Sequence, residues 1–401
     1  MSRKFYIVLF GCLSLLQGVA SAQCAGGRYV SPIFTNVSKT TVTYSTAYGQ
    51  SMDIYQPVGD TLTARPLIIL AHGGSFISGT RSDDSTVLWL CENFAKRGYV
   101  TASIDYRLAS SFLLMLDSTS AIDVVIKAVS DGKAAIRFFR DNANMATYKI
   151  DTNNIFAGGN SAGAVLYMHV GYLDSLAECT SDIATAMAAN GGFEGNSGYP
   201  GHSSRPRAII NLAGALHSTS YVGLNDIPSV NAQGDADIVV PYTCADPNIS
   251  VTVPVQLCGL GSLEPVYNTE GVYHMSHVFP DASHVPWASI PSDFFTVDSL
   301  VQKFLYTLVC TGVTDVAQPS TLNETVIFPN PASDAIYIHA GQNIASIELL
   351  DNTGRVVLQK ADINGNSLEL NTSRLKAGMY FVRVNYVAGS RAPEMQKIII
   401  Q

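Results

Sequence analysis

The chain has 401 residues, of which 47% are hydrophobic and 14% charged, and its formal net charge is −8. No basic cluster interrupts this acidic balance, which argues against nucleic acid or an anionic membrane surface as partner. Beyond the N-terminal segment, no second long apolar run follows, so the mature protein is expected to have no membrane span.

The first element is an address. Ser2-Arg3-Lys4 is basic, residues 5–19 are largely apolar, and Ala20-Ser21-Ala22 forms a small-residue cleavage site before Gln23. This is the pattern of a signal peptide over residues 1–22. Of the seven cysteines, Cys12 departs with it, leaving Cys24, Cys91, Cys179, Cys244, Cys258 and Cys310. An even number in an exported chain predicts disulfides and few or no free thiols. Cys244 and Cys258 flank a loop rich in Pro and Asn and are the first candidate pair. No cysteine spacing suits a metal.

Residues 23–312 read as one α/β domain. Apolar strands are predicted at residues 67–70, 99–104, 154–158, 208–212, 228–232 and 272–279. Helical spacing appears at 87–96 and 120–142. Strands alternating with helices predict a mostly parallel sheet, and the continuous run Leu67-Ile68-Ile69-Leu70 suits a strand buried on both faces.

Four short motifs lie at the ends of these strands. His72-Gly73-Gly74-Ser75-Phe76 reads as an oxyanion loop, with the N–H groups of Gly74 and Ser75 joining that of Ala162. In that loop His72 braces the backbone, and His72, Gly73 and Phe76 are expected to border the substrate. Gly159-Asn160-Ser161-Ala162-Gly163 follows a strand and precedes a helix, the context of a nucleophile elbow presenting Ser161. Gly234-Asp235-Ala236-Asp237 offers two carboxylates that compete to orient a histidine. Asp281-Ala282-Ser283-His284 supplies the general base. His274 and His277 are read as strand residues on opposite faces rather than metal ligands, and no cofactor is expected.

Ser, Asp and His arrive in the chain order of α/β-hydrolases. The body resembles the HGG-type carboxylesterases, which include hormone-sensitive-lipase-like and feruloyl- or acetylxylan-type esterases. The resemblance rests on His72-Gly73-Gly74, Asp105-Tyr106-Arg107-Leu108, the helix over 131–140, Gly-x-Ser-Ala-Gly, Gly-x-x-Asp-x-x-Val-Pro and His284-Val285-Pro286-Trp287. It implies an α/β-hydrolase fold and a catalytic set of Ser161, Asp237 and His284, because Asp237 holds the fourth position of its motif. Ser75 replaces a third glycine and Ala164 a second, and the stretch 237–284 is long for the pattern. The expected activity is hydrolysis of a small-molecule or polysaccharide-linked ester through an acyl-enzyme. A secreted peptidase on the same fold, or a silent surface adhesion or glycan-binding protein, are the rival readings. Residues 111–116 and 186–206 are expected to cover an acyl or aryl pocket.

After a polar linker at 313–323, residues 324–401 change character into short alternating strands broken by Gly, Asn and Asp, the pattern of a small all-β sandwich. A carbohydrate-binding module would read alike. The tail resembles the C-terminal sorting domain of type IX secretion cargo. The matching pieces are Pro329-Asn330-Pro331, the hairpin at Asp351-Asn352-Thr353-Gly354, Leu375-Lys376-Ala377-Gly378-Met379-Tyr380 and the basic-then-apolar end. That resemblance implies export to the cell surface or medium, with the type IX machinery as partner.

Overall fold

The computed structural model describes residues 24–224, 226–311, 320–321, 325–328, 330–332, 334–352, 354–387 and 393–400. The leader at 1–22 and most of the linker lie outside the described residues. In the body the strands are β1 (Val37–Ser45), β2 (Gln50–Pro57), β3 (Arg65–Ala71), β4 (Val100–Ile104), β5 (Ile150–Asn160), β6 (Ala208–Leu212), β7 (Ser229–Gly234), β8 (His274–Phe279) and the two-residue β9 (Ser320–Thr321). Between them run helices α1 (Ser85–Lys96), α2 (Ser118–Arg140), α3 (Asn142–Tyr148), α4 (Ala162–Tyr172), α5 (Ser181–Ala189), α6 (Leu260–Glu270) and α7 (Pro291–Cys310).

The sheet order is β1-β2-β4-β3-β5-β6-β7-β8-β9. The β1/β2 and β2/β4 pairs are antiparallel and the others parallel. Strand β3 shows why an unbroken apolar run is needed at the centre. Leu67, Ile69 and Ala71 enter the core shared with α2 and α4, while Ile68 and Leu70 enter the one shared with α1 and α7. Period-two alternation with helices on both faces leaves no polar side. The helix expected over 120–142 breaks at Asp141, whose side chain accepts from the N–H groups of Ala143 and Asn144 and starts α3. Ser320 and Thr321, inside the stretch read as linker, extend the sheet beside Met275 and Ser276. They find an open strand edge there.

The cysteines follow expectation in forming disulfides, the first candidate pair among them. Cys24 pairs with Cys310, joining the start of the body to the end of α7, and Cys244 pairs with Cys258. Cys91 and Cys179 are free. Cys91 packs inside the α1 core, where burial pushes its thiol up to about 12. Disulfides thus form as the even count predicts and few thiols stay free, one of them serving as a small apolar core residue.

The tail has its own core and comprises β10 (Val326–Phe328), β11 (Ala335–Asp351), β12 (Val356–Asn371), β13 (Gly378–Tyr386) and β14 (Glu394–Ile400), all antiparallel. Runs read as separate short strands are single long ones. A register shift between His339 and Ile344 bends β11, so one sheet wraps Ile336, Ile338, Ile347, Leu349, Val382 and Val384.

Candidate active site

Strand β5 delivers Ser161 into a backbone conformation that side chains rarely adopt, φ 54° and ψ −120°. The turn is tight enough that a Cβ on Gly163 would lie 2.1 Å from Ala71 O, and one on Gly159 2.4 Å from the same oxygen. Only glycine lets β3, β5 and α4 meet this closely. Ser161 N–H donates to Leu212 O at 2.8 Å, tying the elbow to the end of β6. Val165 N–H donates to Ser161 O, so the N–H groups of Ala162, Gly163 and Ala164 have no partner within α4. They form the positive end of a helix that begins at the serine.

Three side chains meet at this point. Ser161 Oγ lies 2.8 Å from His284 Nε2, and His284 Nδ1 lies 2.7 Å from Asp237 Oδ2. A carboxylate accepts only, so Nδ1 carries the proton and Nε2 presents its lone pair to the serine hydroxyl. Asp237 is 4% exposed, and its second oxygen accepts from Val239 N–H at 2.9 Å and Val240 N–H at 3.1 Å. The rival Asp235 is exposed and accepts from Asp281 N–H at 2.7 Å. It braces the loop that carries His284 and does not touch the imidazole.

The glycine loop stands beside the serine. A Cβ on Gly73 would lie 3.3 Å from Ser161 Cβ. Gly74, Ser75 and Phe76 all have positive φ, at 113°, 55° and 60°. A Cβ on Gly74 would fall 2.0 Å from Ser78 O, so that position requires glycine, whereas the departure to Ser75 is accommodated. His72, expected to border the substrate, turns inward instead, while Gly73 is half-buried beside Ser161 and does not line the cavity described below. His72 is 1% exposed, stacks on Tyr106 and donates from Nδ1 to Gly73 O at 2.6 Å. Burial holds its pKa below the usual range, so it is a neutral brace. Gly73 N–H is spent on Asp84 Oδ2 at 3.0 Å.

That aspartate joins the parts in a way the sequence did not reveal. Asp84 Oδ1 caps α1 through Thr86 and Val87, while Oδ2 also accepts from Asn160 Nδ2 at 3.0 Å. Asn160 Oδ1 in turn accepts from Trp287 Nε1 at 3.3 Å, three residues beyond His284. Helix α1, glycine loop, elbow and histidine loop thus share one hydrogen-bonded chain. The variable residue of the Gly-x-Ser-x-Gly motif and the tryptophan of His-Val-Pro-Trp were its only traces in the sequence.

A cavity opens at Ser161, Ala162, Ser75 and Phe76. From the helical side it is lined by Ile122, Ile126, Val165, Leu173 and Ile183. Of the stretch 111–116, only Met115 reaches it, and Phe112, Leu113 and Leu116 are exposed. Residues 186–206 do not line it. They pack on α2, where Lys133 Nζ donates to Phe193 O and Arg137 to Gly198 O. The facing wall comes from the long segment after Asp237. His169 also lines the cavity; burial lowers its pKa to about 4, and both ring nitrogens are engaged, by Val165 O and His217 N–H. His274 and His277 lie on β8, and no group of three metal-ligating side chains occurs among the described residues.

Comparison with known proteins bears on both halves. Residues 52–211 match the family model BD-FAE, and residues 326–401 match the Secretion system C-terminal sorting domain. The chain is 30% identical over 103 residues to the neuroligin-like protein glit-1 of Caenorhabditis elegans, a match spanning 25% of this chain and 13% of that protein. Among solved structures it is similar to the butyrate-bound esterase Est2 of the planctomycete Thermogutta terrifontis, with TM-score 0.49 and 19% identity over 67% of this chain and 94% of that one. The sarin-phosphonylated form of esterase 2 from that organism gives TM-score 0.49 and 20% identity over 68% and 95%. The body has an α/β-hydrolase fold, within which the BD-FAE match covers residues 52–211. The tail is a type IX sorting domain, which directs the chain to the cell surface or medium.

Proposed function

We propose that this chain is an exported carboxylic ester hydrolase in which Ser161 is the nucleophile, His284 the general acid–base and Asp237 its orienting carboxylate. The observation that carries the reading is the Ser161–His284–Asp237 array, bonded at 2.8 and 2.7 Å, on a strained turn at the start of a helix. Ser161 Oγ attacks the ester carbonyl as its proton passes to His284 Nε2. Asp237 stabilises the resulting imidazolium. The carbonyl oxygen becomes an oxyanion between the N–H of Ala162 and those of Gly74 and Ser75. Collapse expels the alcohol, which takes the proton from Nε2 and leaves an acyl group on Ser161. Water, deprotonated by the same nitrogen, then releases the acid. No step needs a metal or cofactor. By this reading the body occupies about residues 23–312 and acts independently of the tail, which engages the type IX machinery.

The test is hydrolysis of acyl p-nitrophenyl esters by the purified mature protein. Ser161→Ala is expected to lower turnover about 10⁴-fold or more while the fold is retained. Turnover kept in the folded variant would contradict a serine mechanism.

A further inference from the structure

The wall after Asp237 is built unlike the rest of the cavity. Pro247, Ile249, Val253, Val255 and Leu257 all line it, yet none belongs to a helix or strand. Ties to the scaffold hold the excursion instead. At its ends, Gln233 on β7 donates from Nε2 to Val240 O and accepts at Oε1 from Leu260 N–H, both at 2.8 Å. Ala245 and Leu257 exchange backbone hydrogen bonds at 3.0 and 2.9 Å. Cys258 is bonded to Leu216 at 3.1 and 2.7 Å, next to His217. The Cys244–Cys258 disulfide, spanning 14 residues, then closes the loop on itself. The wall begins at the carboxylate, since Asp237 Oδ1 holds the N–H groups of Val239 and Val240, which also line the cavity.

The chemistry of the lining is equally specific. Among the described residues, no Asp, Glu, Lys or Arg lines the cavity. His169 is neutral with both ring nitrogens engaged and His217 Nδ1 meets Gln256 O, so a polar or charged acyl end would lose its water and find few partners along a lining that is mostly aliphatic. An aliphatic chain meets no such loss and gains contact with every added methylene until the wall is reached.

We propose that the loop closed by Cys244–Cys258 is the specificity element of the site, selecting aliphatic acyl chains over an acetyl group, and that forming this disulfide completes the acyl pocket. The inference rests on the ester-hydrolase reading above. Because disulfides form after export, the selective pocket is completed outside the cytoplasm.

The experiment compares kcat/KM for p-nitrophenyl octanoate with that for p-nitrophenyl acetate on the full mature chain. The wild type is expected to favour octanoate. In C244S/C258S that preference should fall by about 10-fold or more, mainly through the KM for octanoate. C24S/C310S, which breaks a disulfide away from the cavity, should keep the preference and lose only thermal stability. Val255→Trp, with both disulfides intact, should shorten the pocket and lower the preference as well. If C244S/C258S fails to fold, the same ratio is read on wild type after brief native reduction and alkylation. A wild type that favours acetate overturns the proposal, as does an unchanged preference either in Val255→Trp or once the Cys244–Cys258 link is opened. Fluorophosphonate labelling of Ser161 is read in parallel. Labelling with unchanged preference rejects the selector alone, whereas absence of labelling rejects the hydrolase reading beneath it.

Discussion

Ser161 holds a positive φ that costs a side-chain-bearing residue on the order of 1–3 kcal/mol, and its neighbours impose it. Leu212 O fixes the N–H from one side, and close packing at Gly159 and Gly163 leaves the chain no other path. This is why the serine was legible in the sequence: the small residues that permit the turn are contiguous with it. The carboxylate was less so. Asp235 and Asp237 are two residues apart in one turn, and residue type alone does not separate them. The structure gives Asp235 to a backbone N–H of the histidine loop and Asp237 to the imidazole. Asp237→Asn is therefore expected to lower kcat about 10⁴-fold, because an amide at Nδ1 favours the wrong tautomer. Asp235→Asn should cost roughly 10-fold at most, through loop position alone. Steady-state kinetics of the two variants decide the matter, and equal small effects would remove both from the mechanism.

At the scale of elements, one side chain links several. Asp84 caps α1 with one oxygen and holds the glycine loop and the elbow with the other. Asp84→Ala should lose the cap, at about 0.5–2 kcal/mol, together with both other ties. Asp84→Asn separates the two roles, since asparagine caps a helix as well as aspartate while its NH₂ is then turned against the N–H donors of Gly73 and Asn160. That variant is expected to lower kcat about 10-fold or more with little change in KM. A loss of melting temperature with unchanged kcat would make Asp84 a cap and nothing else. The cysteines give a second check. Thiol titration of the denatured mature protein should find two free thiols, Cys179 reacting before the buried Cys91 in the native state. None, or six, would contradict the pairing.

Several elements were illegible for physical reasons. Strand β1 is mostly exposed and rich in Thr, Ser and Lys, so it lacks the alternation that marks a half-buried strand. The pocket wall was misassigned because apolar content does not say which loop faces the cavity. Residues 111–116 are as apolar as the true wall but turn largely to solvent. The length of the stretch after Asp237, an irregularity in the sequence, was the usable signal.

On the scale of the whole molecule, the buried apolar residues fall into separate clusters, two within the body and one within the tail. The Cys24–Cys310 link joins the two ends of the body before the tail begins. A chain ending at Ala317 is accordingly expected to fold and to hydrolyse esters within about twofold of the full rate. In the native host it should stay in the periplasm. An insoluble or inactive truncation would make the tail part of the catalytic unit, and surface display would contradict its sorting role. The central claim is that Ser161 is a nucleophile activated by His284, and the most direct test is covalent. Mass spectrometry of the mature protein treated with a fluorophosphonate should place one adduct on Ser161, lost in Ser161→Ala and strongly slowed in His284→Ala. A folded wild type without an adduct, or with the adduct on another residue, would contradict the account.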